Sequence, residues 1–465
     1  MIPLAYVAAA LLGCVALWGF TVDDALISVQ YARNVVSGAG YRFDPGGPVT
    51  DGVTPLPWPL LLLPLAKGTA LDVLFRARLL GAVAYVAAAF ALGLAVARTS
   101  APRAAKLAGA VVLLVCIPAA AHAVSGMETA VVILLCTLAV SADGERRAAL
   151  LAGAAAAFRP ALVPWALTFA ALRATPSARA RAAAGALALA PPLAVVVARV
   201  VAFGHAAPLA VHAKPADLGQ GIAYAIAAAL SSATPWIGMS IAGLRLGGRS
   251  RAIVVAFVVH LLAVAAAGGD WMPLARLVAP VAPGLVLAFV LASERLPRWS
   301  LIVRGLLVVG FGWVPVLVGV GSARGVYADR RDLIDRARPE LAECKYIAGA
   351  DVGWVSAASP PGGRILDLGG LTDAEIAFLP GSHTSKRVDV SMLLDRKVDC
   401  VLLYSEGPAD LEHWRDAPFA HAVDARLARS DLLAERYAPA AFLPLGRARP
   451  PARGYLVLRG KLSQP

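Results

Sequence analysis

Apolar runs free of charge recur through the first two-thirds of the chain. Those at 2–20, 79–97 and 253–267 approach or match the roughly 20 residues that carry an α-helix across a bilayer. The loops between the runs are of two kinds. One kind is short and basic with little acid: 98–106, Arg146 with Arg147, 173–181, 245–251 and 295–304. The other carries most of the acids: Asp23, Asp24, Asp44, Asp51, Asp72, Glu128, Asp217 and Asp270. Lys/Arg bias in short loops marks the cytoplasmic side, and the two kinds alternate if the chain starts inside and crosses about eleven times. The first run lacks a basic leader and a small-residue cleavage site, so it reads as an uncleaved span. Two segments depart from simple crossing. Residues 55–66 are too short and Pro-rich to span and read as re-entrant or interfacial. Residues 148–172 are long enough for one span, but a single span there would invert the charge pattern of every later loop. Two short helices meeting at Arg159-Pro160 preserve it.

After Val320 the pattern changes. Charged residues become frequent, and short β-type runs at 364–368, 400–404 and 455–459 alternate with helical stretches such as 372–378, which predicts an α/β domain. The expected architecture is a polytopic α-helical membrane protein. A membrane module covers 1–320, with its first outer loop at 21–66, and a small C-terminal α/β extracytoplasmic domain covers 321–465. Composition agrees: of 465 residues, 59% are hydrophobic and 16% charged, too much apolar surface for one soluble core. The net charge of +13 resides in the cytoplasmic clusters and implies a lipid bilayer rather than nucleic acid as partner. Cys14, Cys116 and Cys136 fall in apolar runs and read as packing residues. Cys344 and Cys400 could pair in an oxidising compartment, or be two unrelated buried thiols.

The candidate chemistry lies in the acidic loops. Asp23-Asp24 directly follows the first apolar run, and acids at membrane level are costly to desolvate and mark functional sites. The next residues, 25–36, alternate as an amphipathic helix expected to lie in the interface, with Asp23 or Asp24 capping its N-terminus as the alternative role. Transfer of a group from a phosphate to a hydroxyl needs a base for that hydroxyl and positive charge for the departing phosphate. Asp23, Asp24 and Asp270 supply carboxylates; Arg33, Lys214, Arg276 and Arg159 supply cations. His205 and His212 could hold a divalent cation together with the aspartates, or be plain polar residues.

The same residues carry a resemblance. The run from Asp23-Asp24 through Arg33-Asn34, then Gly38-x-Gly40-x-x-Phe43-Asp-Pro-Gly and Asp51-Gly-Val-Thr-Pro-Leu-Pro-Trp58, resembles the first outer loop of GT-C glycosyltransferases. The nearest branch is that of the mycobacterial terminal arabinofuranosyltransferase and its bacterial relatives. Ser125-Gly-Met-Glu128-Thr resembles a second loop of that branch, and Gly268-Gly-Asp270-Trp-Met-Pro-x-x-Arg276 a third. Gly369-Gly-Leu-Thr-Asp373 resembles a turn in its outer domain. Two positions depart. Relatives carry an acid and a glycine after Arg-Pro where this chain has Arg159-Pro160-Ala161-Leu162, and an Asn-Thr pair is absent before Lys214. The resemblance implies a GT-C-like fold and a polyprenyl-phosphate-linked sugar donor, with a glycan or lipid acceptor. It further implies Asp23 as base with Asp24 assisting, Arg33, Lys214 and Arg276 for the lipid phosphate, and Asp270 and Glu128 orienting hydroxyls or basic groups. Asn34 and Arg159 complete the expected substrate contacts. A membrane transporter or lipid-linked glycan flippase is the rival class. Such proteins place ionisable groups mid-membrane, whereas here only Arg199 and His260 lie within apolar runs.

Overall fold

The computed structural model describes residues 1–233, 244, 247–270, 272–446 and 453–461. Arg245 of the expected basic loop and Trp271 of the third motif lie outside the described residues. The chain is mainly helical with one small sheet, and it divides into two compact units. In chain order the helices are α1 (Ile2–Ala16), α2 (Asp23–Val36), α3 (Pro57–Leu62), α4 (Ala70–Ala97), α5 (Arg103–Leu114), α6 (Ile117–Ala123), α7 (Thr129–Ser141) and α8 (Glu145–Phe158). They continue with α9 (Val163–Arg173), α10 (Ala178–Phe203), α11 (Leu209–Ala213), α12 (Leu218–Ala228), α13 (Gly248–Ala266), α14 (Ala282–Ala292) and α15 (Arg298–Ala323). After these come α16 (Val326–Glu340), α17 (Val352–Ala358) and α18 (Ala374–Ala377). Three of them, α4, α10 and α13, are long and apolar enough to cross a membrane, which marks a membrane protein. A fourth crossing is available if α5 and α6 count as one span, bent by 58°. Pro118 near the start of α6 accounts for the bend, because proline cannot continue the hydrogen-bond ladder of the preceding turn.

The first unit comprises Met1–Thr21, Arg76–Ala198 and Ala216–Arg324. Here α1 packs on α5 and α6, and α13 packs on α9, α12 and α14. Small residues permit the close approaches: a Cβ on Gly153 would come within 2.5 Å of the Ala188 carbonyl oxygen. The break expected in 148–172 is present. α8 and α9 are separated by one turn at Pro160–Leu162, with Arg159 extended between them.

The second unit comprises Val22–Phe75, Arg199–Pro215 and Gly325–Pro465. It does not follow the expected boundary at 320/321, because α2 packs against α17, so the first loop folds with the C-terminal region. The strands are β1 (Tyr346–Gly349), β2 (Arg364–Asp367), β3 (Cys400–Ser405), β4 (Tyr437–Pro444) and β5 (Gly454–Gly460), in the order β2-β1-β3-β5-β4. β1 runs parallel to β2 and β3, with Ile347 opposite Ile365 and Cys400, while β5 is antiparallel to β3 and β4. Leu366, Val401, Leu403, Leu456 and Leu458 bury one continuous core beneath the sheet. Cys344 and Cys400 form a disulfide that ties the approach to β1 to the start of β3. The helical stretch expected at 372–378 shrinks to the single turn α18, and β1 and β4 were not evident as strands.

α2 also departs from expectation. Residues 25–32 are buried without a break, so the helix is enclosed on nearly every side rather than lying with one face open. Its own N-cap is Val22, which offers no side-chain acceptor; neither aspartate caps it.

Candidate functional site

The expected site residues fall into two groups, one in each unit. In the second unit, Asp23 occupies the first turn of α2 and points its carboxylate at the start of α17. The N-cap position of α17 is Asp351, but the Asp351 side chain makes no capping bond. It accepts instead from the Tyr455 hydroxyl at 2.6 Å. The amides that an N-cap side chain normally serves, at the second and third helical positions, are those of Gly353 and Trp354. They donate to Asp23 Oδ2 at 2.8 Å and Oδ1 at 2.9 Å. Asp23 thus caps α17 from 328 residues earlier in the chain, and Asp351 is released to hold Tyr455. The approach requires glycine at 353: a Cβ there would lie 2.6 Å from Asp23 Oδ2.

Arg330 on α16 completes the cluster, with its guanidinium 3.5 Å from Asp23 Oδ1 and both side chains 16% exposed. Burial pushes the Asp23 carboxyl up to about 6; Arg330 and the Gly353 amide pull it down, while Asp351 and Asp24 push it further up. Asp24 is half-buried beside it. Arg330, Asp351 and Tyr455 were not anticipated. Arg330 stands in the run Asp329-Arg-Arg-Asp332, which on sequence alone reads as a solvated helix face.

Further along α2, Asn34 is buried and saturated. Its amide group donates to the carbonyls of Arg42 and Phe43, each at 2.8 Å, and its oxygen accepts from Gln30. Arg33 donates to the Gly68 carbonyl at 3.3 Å and to Gln30 at 3.2 Å. Lys214 lies half-buried directly after α11. A second buried ion pair supports this unit: Arg199 Nε donates to Asp51 Oδ2 at 2.6 Å, the two side chains being 1% and 0% exposed. His205 and His212 approach edge to face, with ring centroids 6.5 Å apart. Among the described residues, no three His, Cys, Asp or Glu side chains gather as a metal ligand set. The turn at 367–373 is held from within. Asp367 accepts from the amides of Gly369 and Thr372 and from the Thr372 hydroxyl, and burial raises its carboxyl to about 7.

In the first unit, three of the sequence motifs converge on Arg159. Its guanidinium binds Glu128 and donates at 3.1 Å to the Thr129 hydroxyl and, through Nη1, at 3.1 Å to the Arg276 carbonyl. Arg276 in turn pairs with Asp270 at 2.8 Å. Arg276, expected to stand ready for a lipid phosphate, and Arg159, expected among the substrate contacts, are therefore each neutralised by a carboxylate, and Arg159 is only 5% exposed at its side chain. The reason is that Glu128 and Asp270 lie within the same buried cluster, where an unpaired charge would be strongly destabilising. Leu274 and Ala275, at φ 62° and 49°, bend the backbone between the paired residues.

No family model and no curated protein matches the chain.

Proposed function

We propose that the protein is an integral membrane glycosyltransferase. It moves a sugar from a polyprenyl-phosphate donor to an extracytoplasmic glycan or lipid acceptor, with arabinofuranosyltransferase-like, GT-C chemistry in the bacterial plasma membrane. The observation that carries the reading is Asp23. Raised to about 6, its carboxylate is mostly ionised at neutral pH yet a stronger base than an ordinary aspartate. A carboxylate has about four acceptor sites, and the Gly353 and Trp354 amides with Arg330 leave capacity for a substrate hydroxyl. Asp24 supplies the second carboxylate. Lys214 is the cation that the sequence resemblance assigns to the departing phosphate. Glu128 and Asp270 fix Arg159 and Arg276, which orient the loops rather than meet the phosphate directly.

The topology belongs to the same proposal: about eleven crossings, with the C-terminal region outside the cytoplasm. It is supported by the alternation of basic and acidic loops and by the Cys344–Cys400 disulfide, since disulfides persist in oxidising compartments. The test of chemistry is release of polyprenyl phosphate when the purified protein in nanodiscs meets a panel of polyprenyl-phosphate sugars. Release with at least one sugar is expected, and no release with any would end the transferase reading. The test of topology is a reporter fused after residue 465, expected to be active only outside the cytoplasm, against one near Arg249, expected to be active only inside.

A further inference from the structure

One aromatic row in the second unit has no part in the chemistry above. It starts inside the fold, where the Tyr31 and Tyr41 ring centroids lie 4.7 Å apart, and passes to Phe203, 5.6 Å from Tyr41. From Phe203 it runs to His205 at 6.2 Å, then to His212 at 6.5 Å, and ends on Phe378 at 4.6 Å. This end is open: Phe378 is 62% exposed, and Val211, beside His212 on α11, is 54% exposed. The backbone under Phe378 is nevertheless fixed. Lys386 Nζ donates to the carbonyls of Ala377 and Leu379 at 2.7 Å and 2.8 Å, and α11 packs on α18, the turn that immediately precedes Phe378. A rigid frame that holds clustered apolar side chains in water leaves burial free energy unused, which points to a covering partner.

The place of the row in the chain identifies that partner. Phe203 is the last residue of α10, one of the helices long and apolar enough to cross a membrane. The charge in the last two turns of α10, Arg199, is paired with Asp51 and 1% exposed, whereas Val201 is 82% exposed. The helix therefore presents apolar surface up to its end, and the outward part of the row begins there. Rings with a polar edge, such as those of His205 and His212, suit the headgroup level of a bilayer, where one side is apolar and the other wet. We propose that Val201, Val211 and Phe378 form a membrane-contact surface, seated in the headgroup boundary of the leaflet that α10 meets at its C-terminal end. The partner is the lipid surface itself. Apolar side chains at such a boundary sink about 5–10 Å into it. The contact stands whether or not the protein transfers sugars, since no residue of the proposed chemistry contributes to it.

The test is a depth measurement on the full chain in nanodiscs of phosphatidylcholine and phosphatidylglycerol. A nitroxide is attached at Phe378→Cys and, separately, at Val211→Cys, and its collisions with oxygen and with a water-soluble nickel chelate are compared by power saturation. Leu411→Cys and Leu432→Cys, exposed apolar positions off the row, serve as references, and the parent carrying only its own cysteines sets the background. All four positions are exposed, so the substitutions leave folding intact, and matching thermal melts verify it. At 378 and 211 the ratio of oxygen to nickel collisions should shift towards oxygen relative to both references. A ratio equal to that of the references means that water covers the row and overturns the proposal. Low collision rates with both reagents mean that protein covers it, a partner or a second copy, and overturn it equally.

Discussion

The two charged clusters differ in balance. In the first unit, Glu128 faces Arg159 and Asp270 faces Arg276, so each acid has its own base. In the second, Asp24 and Asp351 both raise Asp23 against the single cation Arg330, so the acids around Asp23 are in excess. A balanced pair fixes geometry and leaves little proton affinity to use. An acid excess under burial raises a carboxyl, and that is how a protein obtains a base near neutral pH. On the proposed reading, the structural work falls to Arg159 and Arg276 and the proton chemistry to Asp23.

The largest effect should come from the carboxylates themselves. Asp24→Asn and Asp23→Asn probe different things, because Asp23 also caps α17. Asparagine can accept one amide bond but turns an N–H₂ group towards the second amide or Arg330, so Asp23→Asn should lose both activity and thermal stability. General-base loss alone costs about 10²–10⁴-fold in turnover. Refolding the comparison on the cap, Asp23→Asn that melts lower yet keeps single-turnover transfer in its folded fraction would remove the base role and leave only the cap.

Next in size is the balanced cluster. Truncating one member of a buried pair strands the other charge at about 3–5 kcal/mol, so Arg159→Met should shift SDS-induced unfolding strongly. Glu128→Gln with Arg159→Met should recover most of the loss, because no charge is then stranded. If the double variant is no better than Arg159→Met, the pair is not what holds these motifs together.

A smaller, signed effect tests the acid excess. Activity should rise with pH on a limb near 6, set by Asp23. Arg330→Met removes a charge that lowers this carboxyl, so the limb should move to higher pH. Asp351→Asn removes one that raises it, so the limb should move to lower pH, each by about one unit or more. Stability carries the matching sign. Asp23 holds its proton more tightly folded than unfolded, where a carboxyl titrates near about 3.9. Its contribution is therefore fully present below that pH and is lost as pH rises through about 6. Limbs that move together in the two variants would break the assignment to Asp23.

Much of this frame was legible in the sequence because it is written locally. Apolar length announced α4 and α13, but the run at 2–20 forms only the 15-residue α1, and α10 was not singled out; Arg159-Pro160 announced the break between α8 and α9. The runs at 364–368, 400–404 and 455–459 became β2, β3 and β5. β4 was hidden by Pro439, which a central strand would reject; as an edge strand with an irregularity between Pro439 and Ala441, it tolerates the missing donor. β1 is four residues ending in glycine, too short to show alternation. The site was harder for a different reason. That Asp23 and Asp24 are unusual follows from their place after an apolar run, but their partners come from positions 330, 351 and 455, and spacing in the sequence carries no trace of contacts across such separations.

The cap supplied by Asp23 to α17 sets a schedule for biosynthesis. Residues 22–75 leave the ribosome early, yet the amides they serve and the sheet they fold with are made last. At about 5–20 residues per second, the nearly 400 residues between Phe75 and the end of the chain take tens of seconds to emerge. Through that interval α2 carries two aspartates and an apolar face with its final neighbours still unmade. Any truncation before α17 leaves the early segment permanently unfinished, so quality control of this protein must tolerate a long-lived open intermediate and reject one that never closes.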